Sequence, residues 1–238
     1  LILIGLYKKL VIADGLAPWL AKTMRNVDQL SSLDLFVVGL GTSYRYYSDL
    51  SGYADIAIGS ALLFGIKLSQ NFRRPFAAQS VTVMWQRWHI TVTNWFRDYL
   101  YLPLGRRYGA LPLARPVVTT IVMVIVGIWH GATWNWMTIG LLGGIIIGLS
   151  NFARKQVATG PYFTPRRKRA FDLFERVVLW IYIPVMGILV LIPDPATAWM
   201  LIGRMTTMPP EFVAGDIGPA SIPSLHLIIA IIAIEVFK

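Results

Sequence analysis

The chain has 238 residues, 55% of them hydrophobic and 14% charged, with a mean hydropathy of +0.58. That is more apolar surface than one soluble core can use, which excludes an ordinary soluble domain and points to an all-α, polytopic membrane protein of about five or six spans. Cysteine is absent, excluding disulfides and thiolate chemistry, and the net charge of +10 reads as a topological signal and an attraction to anionic membrane lipids, with no nucleic acid as partner.

Residues 1–20, LILIGLYKKLVIADGLAPWL, are apolar but interrupted by Lys8, Lys9 and Asp14, the pattern of a short re-entrant or interfacial helix. No basic lead-in or small-residue cleavage pattern accompanies this run, so it does not read as a signal peptide. With a second apolar run reaching the last residues, the chain is expected to be an excerpt of a longer one. Residues 33–66 form a long apolar stretch, and a kink or helix junction is expected at SDLSGYAD, around Ser51 and Gly52.

Residues 67–115 are more polar, a basic and aromatic segment. Within it MWQRWHITVTNWFRDYL has a period near that of an α-helix: Trp85, Trp88, Val92, Trp95, Phe96 and Tyr99 share one face, with Arg87, Thr91, Asn94 and Asp98 opposite. One amphipathic helix at the membrane interface is expected. Residues 116–150 return to apolar sequence, long enough for two short helices meeting near HGATWN, the candidate catalytic pair. A basic loop is expected over 151–176, a span over 177–192, a Pro-rich loop over 193–221 and a last span over 222–237, all within a single membrane domain, 1–238.

The loop charges set an orientation. Residues 151–176 carry Arg154, Lys155, Arg166, Arg167, Lys168, Arg169 and Arg176 against Asp172 and Glu175, whereas 193–221 carry Arg204 against Asp194, Glu211 and Asp216. By the positive-inside rule the first loop is cytoplasmic and the second faces outward. His130 then lies at membrane depth, where an ionisable side chain is costly and marks a pathway or a site by default.

An imidazole at that place can serve as a general base, taking a proton from a hydroxyl during acyl transfer. The alternative is a packed histidine bonded to a backbone carbonyl of a broken helix. Gly131 next to it permits close approach of a chain or substrate. His89 falls at the boundary of the two faces of the amphipathic segment, a position equally natural for a structural histidine, and His226 reads as interfacial. Asp49 and Asp55, near Tyr44, Tyr46, Tyr47 and Tyr53, line a polar tunnel and contact substrate, accept from tyrosine hydroxyls, or pair with an arginine of the following segment. There is no HExxH pattern and no closely spaced ligand pair, so no metal is expected.

Four stretches in order, GLYKKLVIAD (5–14), YYSDLSGYADIAIG (46–59), NFRRPF (71–76) followed by WQRWHITVTNWFRDYLYLPLG (85–105), and GIWHGATWNW (127–136), resemble the membrane-bound O-acyltransferase (MBOAT) family. The likeness is greatest to its alginate O-acetyltransferase branch. It implies a helical membrane enzyme of the bacterial inner membrane with a central funnel, a catalytic histidine at His130 and a second, supporting histidine at His89. It also implies no bound cofactor, a thioester donor such as acetyl-CoA reached from the cytoplasm, and an exopolysaccharide hydroxyl or a periplasmic accessory acetyltransferase as acceptor. Trp129, Trp134 and Asn135 are then expected to shape the substrate wall, Asn135 helping to hold the developing oxyanion. Two departures stand out: Gly105 is followed by Arg106 and Arg107 where the branch usually has a second glycine, and Gly143–Gly144 stand where it usually has His-Gly. The reading from another class is a proton-coupled transporter or flippase, with His130 and the aspartates relaying protons.

Overall fold

The computed structural model describes residues 1–25, 27–109, 113–159 and 164–207. The span expected at 222–237, His226, and the loop residues beyond Thr207 lie outside them. Every regular element among the described residues is helical, and they form two compact units, one built from Leu1–Phe72 with the described part of Ile183–Lys238, the other from Arg73–Tyr182.

In the first unit, α1 (Ile2–Leu6) passes through a π-helical segment (Tyr7–Ala13) into α2 (Asp14–Met24). The long helix α3 (Ser32–Leu63) follows, opened by a capping box: the Ser31 hydroxyl accepts from the Asp34 N–H at 3.2 Å, and the Asp34 carboxylate accepts from the Ser31 N–H at 3.0 Å. The helix junction expected around Ser51 and Gly52 does not occur, since α3 runs through both residues. Gly52 serves close packing instead, since a Cβ there would lie 2.7 Å from the Gly5 carbonyl oxygen. Small residues also let α3 meet the end of a later helix, where Ser43 donates to the Ile183 carbonyl at 2.8 Å.

In the second unit the expected single amphipathic helix is broken into α4 (Val81–Arg87), α5 (Ile90–Phe96), a π-helical turn (Arg97–Tyr101) and α6 (Leu102–Tyr108). The aromatic face is divided with it: Trp88 and Phe96 are buried, whereas Trp95 and Tyr99 are exposed. Next comes the helix pair α7 (Ala114–His130) and α8 (Trp134–Thr159). Gly127, Gly140, Gly144 and Gly148 leave no room for side chains between the two helices, which therefore pack backbone to backbone. Phe96 of α5 forms a core with Val118 and Val122 of α7.

The segment 151–176 is mostly helix, not loop. α8 runs on to Thr159 and α9 (Pro165–Leu191) begins soon after. Lysine and arginine are good helix formers, and two of these charges are paired: Lys168 with Asp172 at 2.8 Å one turn on, and Arg154 of α8, together with Ser150, with the buried Glu175 of α9. α8 and α9 each contain a stretch long and apolar enough to cross a membrane, Trp134–Gln156 and Pro165–Leu191, and α7 is a shorter apolar helix. Within the expected Pro-rich loop lies α10 (Pro195–Thr207), capped by Asp194. The Thr197 N–H and hydroxyl donate to that carboxylate at 2.8 and 2.6 Å and hold its pKa below the usual range.

Candidate active site

α7 ends at His130 because Gly131 leaves the helix; the Gly131 N–H still closes back on Gly127 and Ile128 carbonyls at 3.3 and 3.2 Å. Glycine is required at 131 by packing, since a Cβ would sit 2.9 Å from the Trp136 ring. Thr133 then caps the start of α8, its hydroxyl accepting from the Trp136 N–H at 3.5 Å. The turn so formed lays the Trp136 indole flat on His130, with ring centroids 4.9 Å apart and planes 18° from parallel. Trp129 meets the same imidazole edge-on at 4.7 Å.

His89 arrives from the break between α4 and α5. Its backbone is left-handed, φ 45° and ψ 53°, a region that non-glycine residues enter at a cost and that clusters at functional sites. The conformation turns the chain so that the His89 carbonyl accepts from Thr93 N–H at 2.9 Å and starts α5. Its imidazole packs edge-on against Trp129 at 6.3 Å, so Trp129 touches both imidazoles.

Both histidines line one cavity of about 290 Å³. Its wall is largely apolar, with Val92, Phe96, Val122, Met123, Val126 and Ile147, and its polar lining includes Thr82, Gln86, Thr93, Arg97, Thr119 and Asn151. Among the described residues, no carboxylate lines it. The arrangement can hold a neutral imidazole facing an apolar, partly enclosed space, which suits it to accept a proton from a bound hydroxyl.

The family model for membrane-bound O-acyltransferases matches residues 1–192. The chain belongs to that family. Among relatives of this MBOAT chain, the peptidoglycan O-acetyltransferase of Helicobacter pylori is 41% identical over 147 residues, covering 61% of the chain and 28% of the relative. The probable alginate O-acetylase AlgI of Azotobacter vinelandii is 31% identical over 237 residues, 98% of the chain and 45% of the relative. A teichoic acid D-alanyltransferase of Streptococcus thermophilus is 30% identical over 155 residues, 60% of the chain and 37% of the relative. The chain thus spans less than half the length of each of these relatives.

Of the residues singled out in the MBOAT motifs, the structure brings His89, His130 and Trp129 together. Asn135 is buried at 5% exposure but is not among the cavity-lining residues, and Trp134 is 71% exposed. Side chains two apart on a helix point to nearly opposite sides, so with α8 starting at Trp134 it is Trp136 that reaches His130. Asp49 and Asp55 belong to the other unit, where the partners are lysines rather than the expected arginines: Lys9 to Asp49 at 2.7 Å and Lys8 to Asp55 at 2.9 Å. The sequence reading passed over Thr82, Gln86, Thr93 and Arg97. Together with His89 they recur every three or four residues, a polar stripe masked by the aromatic one beside it.

Proposed function

We propose that this MBOAT chain carries the acyl-transfer centre of a bacterial inner-membrane, multi-pass enzyme that moves an acyl group, acetyl in the first instance, from a thioester donor to a hydroxyl of a cell-envelope or exported polysaccharide. The observation that carries this reading is the cavity shared by His89 and His130. Relatives named as alginate and peptidoglycan O-acetyltransferases support acetyl as the group and a polysaccharide as the acceptor, directly or through a periplasmic partner. Acetyl-CoA is the donor to test first.

His130 accepts the proton of the acceptor hydroxyl as its oxygen attacks the thioester carbonyl. The tetrahedral intermediate collapses, the carbon–sulfur bond breaks, and the imidazolium returns its proton to the leaving thiolate. No cofactor takes part. Trp129 and Trp136 hold the ring in orientation, and His89 supports it through Trp129. The test follows radiolabel from acetyl-CoA into alginate oligosaccharides and peptidoglycan fragments, in membranes containing the full-length parent protein and its partners. His130→Ala is expected to abolish nearly all transfer at matched expression; near-normal turnover would show that another group is the base.

A further inference from the structure

Thr82 and Trp85 stand one turn apart on α4 and both line the histidine cavity. The Thr82 hydroxyl and the Trp85 indole nitrogen are shielded from solvent, and among the described residues neither has a well-formed hydrogen bond. The hydroxyl of Tyr182, a residue only 4% exposed on α9, is in the same condition. Gly143 of α8 lets Tyr182 reach this place. A Cβ there would lie 2.8 Å from the Tyr182 oxygen and 3.5 Å from Trp85 Nε1, so the two polar atoms converge on the space beside the glycine, near each other but without hydrogen-bond geometry.

Buried donors without partners are rare because leaving them unmade is costly, and where they cluster at a cavity a ligand is the natural complement. The indole N–H can only donate, so the complement must accept. The surrounding wall narrows the chemistry further. Met123 and Ile147 are apolar neighbours on the same cavity, and Met123 Cε lies 3.4 Å from the Gly143 Cβ position. A sugar, with a hydroxyl on nearly every carbon, would leave several of them against hydrocarbon. A thin alkyl chain carrying a carbonyl at intervals would not.

We propose that Thr82, Trp85 and Tyr182, with Gly143 keeping the approach open, form a subsite for an amide carbonyl in the arm of the thioester donor. The assignment rests on the acyl-transfer reading above and deepens it: these residues select the donor, not the acceptor. Tyr182 and Gly143 do not line the cavity themselves and act through Trp85 and the space it faces.

The experiment uses the full-length parent protein and two acetyl donors, S-acetyl-N-acetylcysteamine, which keeps one amide, and ethyl thioacetate, which has none, with an alginate oligosaccharide as acceptor. Tyr182→Phe and Thr82→Val are expected to lower kcat/KM about tenfold for the amide-bearing donor and less than about twofold for ethyl thioacetate. The KM for the oligosaccharide should not move. Gly143→Ala, which crowds the Tyr182 hydroxyl, should follow the same pattern. Equal losses with both donors would mark a merely structural role and overturn the proposal, as would a change confined to the oligosaccharide. Wild-type protein that transfers acetyl from neither donor nor from acetyl-CoA would overturn the acyl-transfer reading itself, and the subsite with it.

Discussion

Two places, the lysine–aspartate cluster of the first unit and the histidine cavity of the second, meet the same difficulty, ionisable side chains in apolar sequence, and resolve it in opposite ways. In the first, Lys8 faces Asp55 at 2.9 Å and also lies 5.6 Å over the Tyr47 ring, while Lys9 bridges Asp49 and Asp14 at 2.7 and 3.1 Å. Each of these three carboxylates is answered by an ammonium from the Tyr7–Ala13 segment. In the second, the two histidines face a cavity with no carboxylate among the described residues that line it, held by rings rather than by charges. A charge neutralised within the protein contributes to folding; an imidazole turned to open space is positioned for a ligand. Variants of the lysine–aspartate cluster should therefore change stability and variants of the histidine cavity should change turnover.

The largest effect expected is at His130. Loss of a general base typically costs about 10²- to 10⁴-fold in rate, so His130→Ala should reduce acetyl transfer to that extent while the thermal midpoint of the purified full-length protein stays within a few degrees. A collapse of stability would place His130 with the structural pairs and erase the contrast.

Next in size is the Lys8–Asp55 pair, whose side chains are mostly buried. Lys8→Met should destabilise by about 2 kcal/mol because it strands the carboxylate, and Lys8→Met with Asp55→Leu should recover most of that loss. Thermal denaturation of the three proteins checks it. Should Asp55→Asn leave the melting curve alone and abolish transfer, the carboxylate would belong with the chemistry and the division between the units would fail.

How much of this was legible in the sequence depends on which force decided each element. The α7–α8 pair was readable because an apolar stretch long enough for two helices is interrupted by the more polar HGATWN. The continuity of α3 was not: Ser51–Gly52 looks like a helix breaker, and only the partner helix at Gly5 shows that the glycine serves close approach. The break at His89 was equally hidden, since hydrophobic periodicity runs straight through a single left-handed residue. The basic segment 151–176 was misjudged because charge resembles loop until its partners Glu175 and Asp172 are seen across two helices. For the site, the motifs yielded His130, His89 and Trp129, but the choice between Trp134 and Trp136 depended on where α8 begins.

That choice supplies a smaller test. Trp136→Leu removes the ring stacked on His130 and should lower kcat about tenfold, the scale expected when a reacting group loses its orientation. Trp134→Leu, at an exposed position, should change it less than about twofold. Reversal of the two would mean that the cavity is completed from the exposed side of α8.

The finest test separates two roles combined in His89, whose backbone makes the left-handed turn and whose imidazole lines the cavity. Glycine and asparagine accept that conformation readily, whereas alanine keeps a Cβ and offers nothing in return. His89→Gly and His89→Asn should therefore be more stable than His89→Ala by about 1 kcal/mol, read from denaturation midpoints. Transfer should respond differently. If the imidazole supports His130, all three variants lose activity together, by about tenfold, in spite of their ranking in stability. If transfer instead followed stability, recovering in the glycine and asparagine proteins, the residue would matter for the turn alone, and the second unit would contain one functional histidine beside one structural one.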